Sequence, residues 1–89
     1  MLQQTLTIRN KLGLHARPSA LLAKTAGLFK SSITLTSGSR SVDAKSILGL
    51  MTMAMPCDTE LTVSAEGPDE KAALESIVEL FENRFGEEE

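Results

Sequence analysis

The chain has 89 residues, 42% of them hydrophobic and 24% charged, which is ordinary globular usage and excludes a disordered or fibrous chain. Against a soft prior of roughly 150 residues per domain, that length leaves room for one domain over 1–89. Nine Lys and Arg against twelve Asp and Glu give a net charge of −3, and Trp and Tyr are absent, so a nucleic-acid partner is not expected: the basic field and stacking rings it needs are missing.

From Gln4 to Ile8 apolar and polar residues alternate, with Leu6 and Ile8 on one face and Thr5 and Thr7 on the other, the period of a half-buried strand. Asn10-Lys11-Leu12-Gly13 reads as a loop. Ala16 to Phe29 then carries Leu22, Ala26 and Phe29 at helical spacing, with Pro18 in the first turn of the predicted helix. Ser32 to Thr36 and Arg40 to Ala44 flank the turn Ser37-Gly38-Ser39 and predict a hairpin. Ser46 precedes a short predicted helix in which six of the eight residues from 47 to 54 are apolar, a wider apolar surface than one buried stripe requires.

Met55-Pro56-Cys57-Asp58 breaks that helix, and Glu60 to Glu66 returns to alternation, with Leu61, Val63 and Ala65 facing in. Gly67-Pro68-Asp69 starts a last helix whose stripe of Leu74, Ile77, Val78, Phe81 and Phe85 is stopped by Gly86. The like charges of Glu87-Glu88-Glu89 predict a solvated tail. The order β-α-β-β-α-β-α implies an α+β fold, a four-stranded antiparallel sheet with helices on one face and water on the other. The pattern does not choose the strand order, since a ferredoxin-like split βαβ arrangement begins with the same six elements.

Cys57 is the only cysteine and His15 the only histidine, so no internal disulfide can form and no structural-zinc cluster can be assembled. We expect a free thiol, a reducing compartment such as the cytoplasm, and no metal. The N-terminal stretch has no basic and apolar leader, and no run approaches the roughly 18 apolar residues of a membrane span, so neither secretion nor membrane insertion is expected. A core this small has no room for a deep cofactor cavity; no cofactor is expected, and function should sit on the surface.

His15 stands at the mouth of the first helix in Gly13-Leu14-His15-Ala16-Arg17-Pro18-Ser19. A helix N-terminus exposes unpaired N–H groups and partial positive charge, which hold a phosphate without a dedicated pocket and favour the neutral, nucleophilic imidazole. Arg17 adds a planar fork that matches phosphate oxygens, and Pro18 should bias Arg17 away from helical angles. No Asp or Ser nearby completes a hydrolase triad, so a nucleophile that accepts a group and passes it on is the chemistry these residues fit.

Those residues, with Ala44-Lys45-Ser46-Ile47-Leu48-Gly49-Leu50-Met51 and Val63-Ser64-Ala65-Glu66-Gly67, give the chain a near full-length resemblance to the HPr family. These are the histidine-containing phosphocarriers of the bacterial phosphoenolpyruvate-dependent phosphotransferase system. The resemblance implies an open-faced β-sandwich with sheet order 1-4-2-3. It also implies that His15 is phosphorylated on Nδ1 by enzyme I and dephosphorylated by an EIIA-type domain. Ala16, Arg17, Pro18 and Ser19 would hold the phosphate, with Arg17 steadying it, and the Ser19 hydroxyl, where the family more often has Ala, could add a donor there.

By the same resemblance both partners dock on Ala16, Ala20, Leu21, Lys24, Ile47, Leu48 and Met51; a monomer is expected. Ser46 is a natural helix N-cap, and in many family members the matching serine is the target of a regulatory kinase. Asn10-Lys11-Leu12-Gly13, Phe81, Phe85 and the acidic tail look more like the nitrogen-related paralogue NPr, which leaves a purely regulatory carrier as an alternative. A ferredoxin-like small-ligand module is the alternative of another class.

Overall fold

A computed structural model describes residues 1–53 and 55–87. The elements are β1 (Leu2–Thr7), α1 (Ala16–Ala26), β2 (Ser32–Ser37), β3 (Arg40–Asp43), α2 (Ile47–Met53), β4 (Glu60–Glu66) and α3 (Glu70–Glu82), followed by a 3-10 turn over Arg84–Gly86. The sheet runs β1-β4-β2-β3, and every neighbouring pair is antiparallel. A split βαβ arrangement places parallel strands side by side. The pairing of β4 with both β1 and β2 therefore removes the ferredoxin-like alternative.

The alternation read from the sequence fixes which face is dry. Leu61, Val63 and Ala65 of β4 and Ile33 and Leu35 of β2 are all buried, and Leu22, Ala26, Leu50, Ala73, Ile77 and Phe81 of the three helices join them in one core. The opposite face carries Thr34, Thr36, Thr62 and Ser64, which stay half-exposed. Among the described residues no helix is long and apolar enough to cross a membrane.

Three local expectations are corrected. The first helix ends at Ala26 rather than Phe29, because the amides of Leu28 and Phe29 turn back to the carbonyls of Thr25 and Ala26 in a tight closing turn. Arg17 is helical despite preceding Pro18; in the first turn the missing N–H of Pro18 has no partner to lose, so the helix tolerates the pair. Phe85 reaches the core by a route other than helical period, since α3 stops at Glu82.

Arg84, Phe85 and Gly86 have φ of 52°, 55° and 78°, three left-handed residues in succession. That backbone costs each residue with a Cβ about 1–2 kcal/mol. Burial of the Phe85 ring, only 3% exposed, recovers about 1.5–3 kcal/mol. Its edge contact with Phe81, ring centroids 4.9 Å apart at 63°, adds about 0.5–1.5 kcal/mol. The turn is held by this aromatic anchor, and it folds the chain back toward the loop after β1.

At the other end of α3, Asp69 ties the helix start to the loop before β2. Its carboxylate accepts from the amides of Lys30 and Ser31, both at 2.9 Å, and from the Ser31 hydroxyl. The Ser31 side chain and then the Lys30 amide hold this carboxyl at about 2, below its ordinary 3.8. Gly67 makes the approach possible: its φ of 149° and the 2.6 Å that would separate a Cβ from the Ser31 Oγ both exclude a side chain.

A carboxyl held low in the folded state stabilises above its unfolded value, and that contribution disappears as pH falls toward its folded value. The melting temperature should therefore drop between pH of about 4 and about 2 more steeply in the wild type than in Asp69→Asn. Parallel slopes in a pH series of thermal melts would remove Asp69 from the acid sensitivity.

Candidate functional site

The loop from Asn10 to Leu14 sets the site. Asn10 is fully buried; its carbonyl accepts from the Gly13 amide at 3.0 Å and its Nδ2 donates to the Gly13 carbonyl at 2.5 Å, closing a tight turn. Gly13 has φ of 69°, and a Cβ there would lie 2.5 Å from the Met55 carbonyl and 2.7 Å from the Pro56 Cα, so only glycine lets the two loops touch. Leu14 is buried, and its amide donates to the Met55 carbonyl at 2.8 Å. The backbone is pinned on both sides of the next residue, His15.

His15 is the N-cap residue of α1, with extended backbone, and its side chain makes no capping bond. Its carbonyl accepts the Ser19 amide at 3.0 Å, the first bond of the helix. The amides of Ala16 and Arg17 have no intrahelical partner, and Pro18 has no N–H to offer. The His15 side chain is 33% exposed, open enough to be reached and enclosed enough to be held. Arg17 is exposed in the same turn, and among the described residues no ion pair ties it elsewhere.

Ser19 does not offer its hydroxyl to this space. It is fully buried, and its Oγ donates to the Leu14 carbonyl at 3.2 Å, so the expected extra donor for a phosphate is instead a brace for the loop. Pro18 is buried beside it.

The opposite edge of the ring holds a contact the sequence reading missed. His15 Nε2 lies 2.9 Å from Glu87 Oε2, and Asn10 Nδ2 donates to Glu87 Oε1, also at 2.9 Å. The tail was expected to be solvated, yet the Glu87 side chain is only 15% exposed, because the left-handed turn at 84–86 carries it back over the loop. Glu88 and Glu89 lie outside the described residues. The available signal was Gly86 directly after an apolar Phe85, a stop that permits chain reversal.

Of the residues expected to surround the imidazole, Ala16, Ala20 and Lys24 of α1 are exposed and Leu21 is half-buried. From α2, Leu48 is 77%, Ile47 47% and Met51 44% exposed, while Leu50 alone in that helix is buried. The surplus apolar width of α2 therefore faces solvent, and Met51 carries it to the hollow beside His15. A hollow lined by Leu12, Leu14, His15, Met51, Met55 and Pro56 continues this surface, and Leu12 and Met55 extend it beyond the expected set. Ser46 is half-buried and caps α2, its Oγ accepting the Gly49 amide at 3.0 Å. Among the described residues no group of His, Cys, Asp and Glu could hold a metal ion.

Residues 2–83 match the family described as PTS HPr component phosphorylation site. The chain is 48% identical to the phosphocarrier protein HPr of Cupriavidus necator over 89 residues, all of both chains. It is also 48% identical to the HPr of Treponema pallidum over 88 residues, 99% of this chain and 100% of that one. Among solved structures, HPr-C-His from Thermoanaerobacter tengcongensis superposes with a TM-score of 0.96 at 44% identity, over the full length of both chains. The chain therefore belongs to the HPr family and is a phosphocarrier of the phosphotransferase system.

Proposed function

We propose that His15 is the residue that carries the phosphoryl group, accepting it on Nδ1 from enzyme I and giving it up to an EIIA-type domain. The observation that carries this reading is a half-exposed imidazole on the N-cap of α1, beside first-turn amides that no side chain caps and next to the exposed Arg17. The amides of Ala16 and Arg17 and the Arg17 guanidinium supply positive charge where a dianion would rest, and Pro18 and Ser19 hold the turn that presents them. Transfer in this arrangement needs positioning and charge stabilisation rather than acid–base work.

Both partners dock on the face formed by Ala16, Ala20, Leu21, Lys24, Ile47, Leu48 and Met51, whose exposed apolar side chains continue through Met51 into the hollow beside the ring. The protein works as a monomer in the cytoplasm. The general HPr branch fits better than the nitrogen-related one, since the curated relatives matched over nearly the whole chain are named phosphocarrier protein HPr. A kinase acting on Ser46 would add a phosphate at the edge of the docking face and weaken partners that use it.

Incubation with enzyme I and phosphoenolpyruvate should put an acid-labile phosphate on the wild type and none on His15→Ala. Label that survives this substitution assigns the acceptor elsewhere. Arg17→Ala should fold normally and lower the transfer rate on the order of 100-fold, the effect of removing one charge-stabilising donor; an unchanged rate takes Arg17 out of the transfer. Ser46→Asp should slow phosphorylation by enzyme I severalfold, and equal rates would leave Ser46 as a helix cap alone.

A further inference from the structure

We propose that Glu87 is a positioning residue for the imidazole, acting with Asn10 as a relay that holds the His15 proton on Nε2 and leaves Nδ1 bare as the nucleophile. A carboxylate can only accept, so the 2.9 Å contact between Glu87 Oε2 and His15 Nε2 in the neutral ring requires the hydrogen on Nε2. The ring has one such hydrogen, and the lone pair must then lie on Nδ1. The carboxylate is itself aimed: Asn10 Nδ2 donates to its other oxygen at 2.9 Å, and Asn10 is fully buried and locked to Gly13 by the same NH₂ group. Base, orienting carboxylate and a third group behind it form the arrangement that sets the tautomer of a working histidine elsewhere in enzyme chemistry.

The backbone corroborates this placement. Glu87 follows three left-handed residues, two of them carrying a Cβ, and without that reversal the chain would leave α3 away from the loop. The Phe85 anchor holds the reversal in place, so Glu87 arrives with its backbone already ordered. Its side chain, 15% exposed, is shielded more than the ring it contacts.

Resting on the reading of His15 as phosphoacceptor, the step is simple to balance. The Nδ1 lone pair forms the N–P bond, the bond from phosphorus to the donor's leaving atom breaks and its electron pair departs with that atom, and Nε2 keeps its proton throughout. The ring gains one positive charge as the bond forms. Glu87 faces that charge from the edge opposite the phosphoryl group, so it stabilises the charge while leaving the attacking nitrogen open.

The test compares the wild type with Glu87→Ala and Glu87→Gln, the latter keeping the side chain's size. In the free protein at alkaline pH, where an imidazole is neutral, proton and nitrogen NMR of His15 should show a protected Nε2-bound proton in the wild type. In Glu87→Ala that proton should exchange with water too fast to observe, with a rise in the Nδ1–H tautomer; in Glu87→Gln, whose amide oxygen can still accept from Nε2 but whose NH₂ group competes for the same place, the change should be smaller and in the same direction. Phosphorylation by enzyme I should slow by roughly 2- to 10-fold in Glu87→Ala, the range one net hydrogen bond gives. An unprotected Nε2 proton in the wild type, or an unchanged tautomer share in both variants, overturns the proposal. So does a faster transfer, which would make Glu87 a lid. The NMR measurement needs no phosphate, so it stands even if His15 proves not to be the acceptor.

Discussion

The backbone bond from the Leu14 amide to the Met55 carbonyl holds two loops together at the point where the chain turns into α1. Leu14 is buried under it, Gly13 leaves room for it, and the Ser19 hydroxyl satisfies the Leu14 carbonyl from the helix side. With both its amide and its carbonyl engaged, Leu14 cannot rotate without breaking buried hydrogen bonds. The direction in which His15 leaves the loop follows from that constraint. Loosened here, the core would survive on the sheet and its three helices, but the imidazole would lose its fixed relation to the helix mouth.

The sheet and the helix end use different physics, and this separation suits a small domain. Leu61, Val63, Ala65, Ile33 and Leu35 supply stability through burial and carry no chemistry. The corner around His15 depends on a few directional contacts among Asn10, Gly13, Leu14, Ser19 and Glu87, whose geometry matters more than their combined energy. Asp69 plays the corresponding structural part at the far end of α3, pinning Lys30 and Ser31 by an ionised carboxylate rather than by packing.

Periodicity was enough to read most of the architecture. β4 has the same bounds in sequence and structure because its alternation is unbroken from Glu60 to Glu66, and Ser46 caps α2 as its place before an apolar run implies. Strand order was legible only through family resemblance, since pairing is a long-range choice that local pattern does not encode. The Ser19 hydroxyl and Glu87 were misread for one reason: each depends on a neighbour brought in by tertiary folding. Ser19 turns to a carbonyl five residues back across the helix start, and Glu87 meets a residue 72 positions away. Like-charge repulsion in Glu87-Glu88-Glu89 argued for solvent, and a buried amide donor outweighed it.

The exposed apolar side chains of α2 reach the hollow beside a single ring through Met51, and the sheet's far side, with its hydroxyls, Gln3 and carboxylates, is polar. Any two macromolecules that must reach the same ring nitrogen therefore compete for one footprint. If both proposed partners use this face, occupancy by one excludes the other, and transfer waits on departure of the first. On that proposal throughput is bounded by dissociation as much as by bond making, which favours a small contact area.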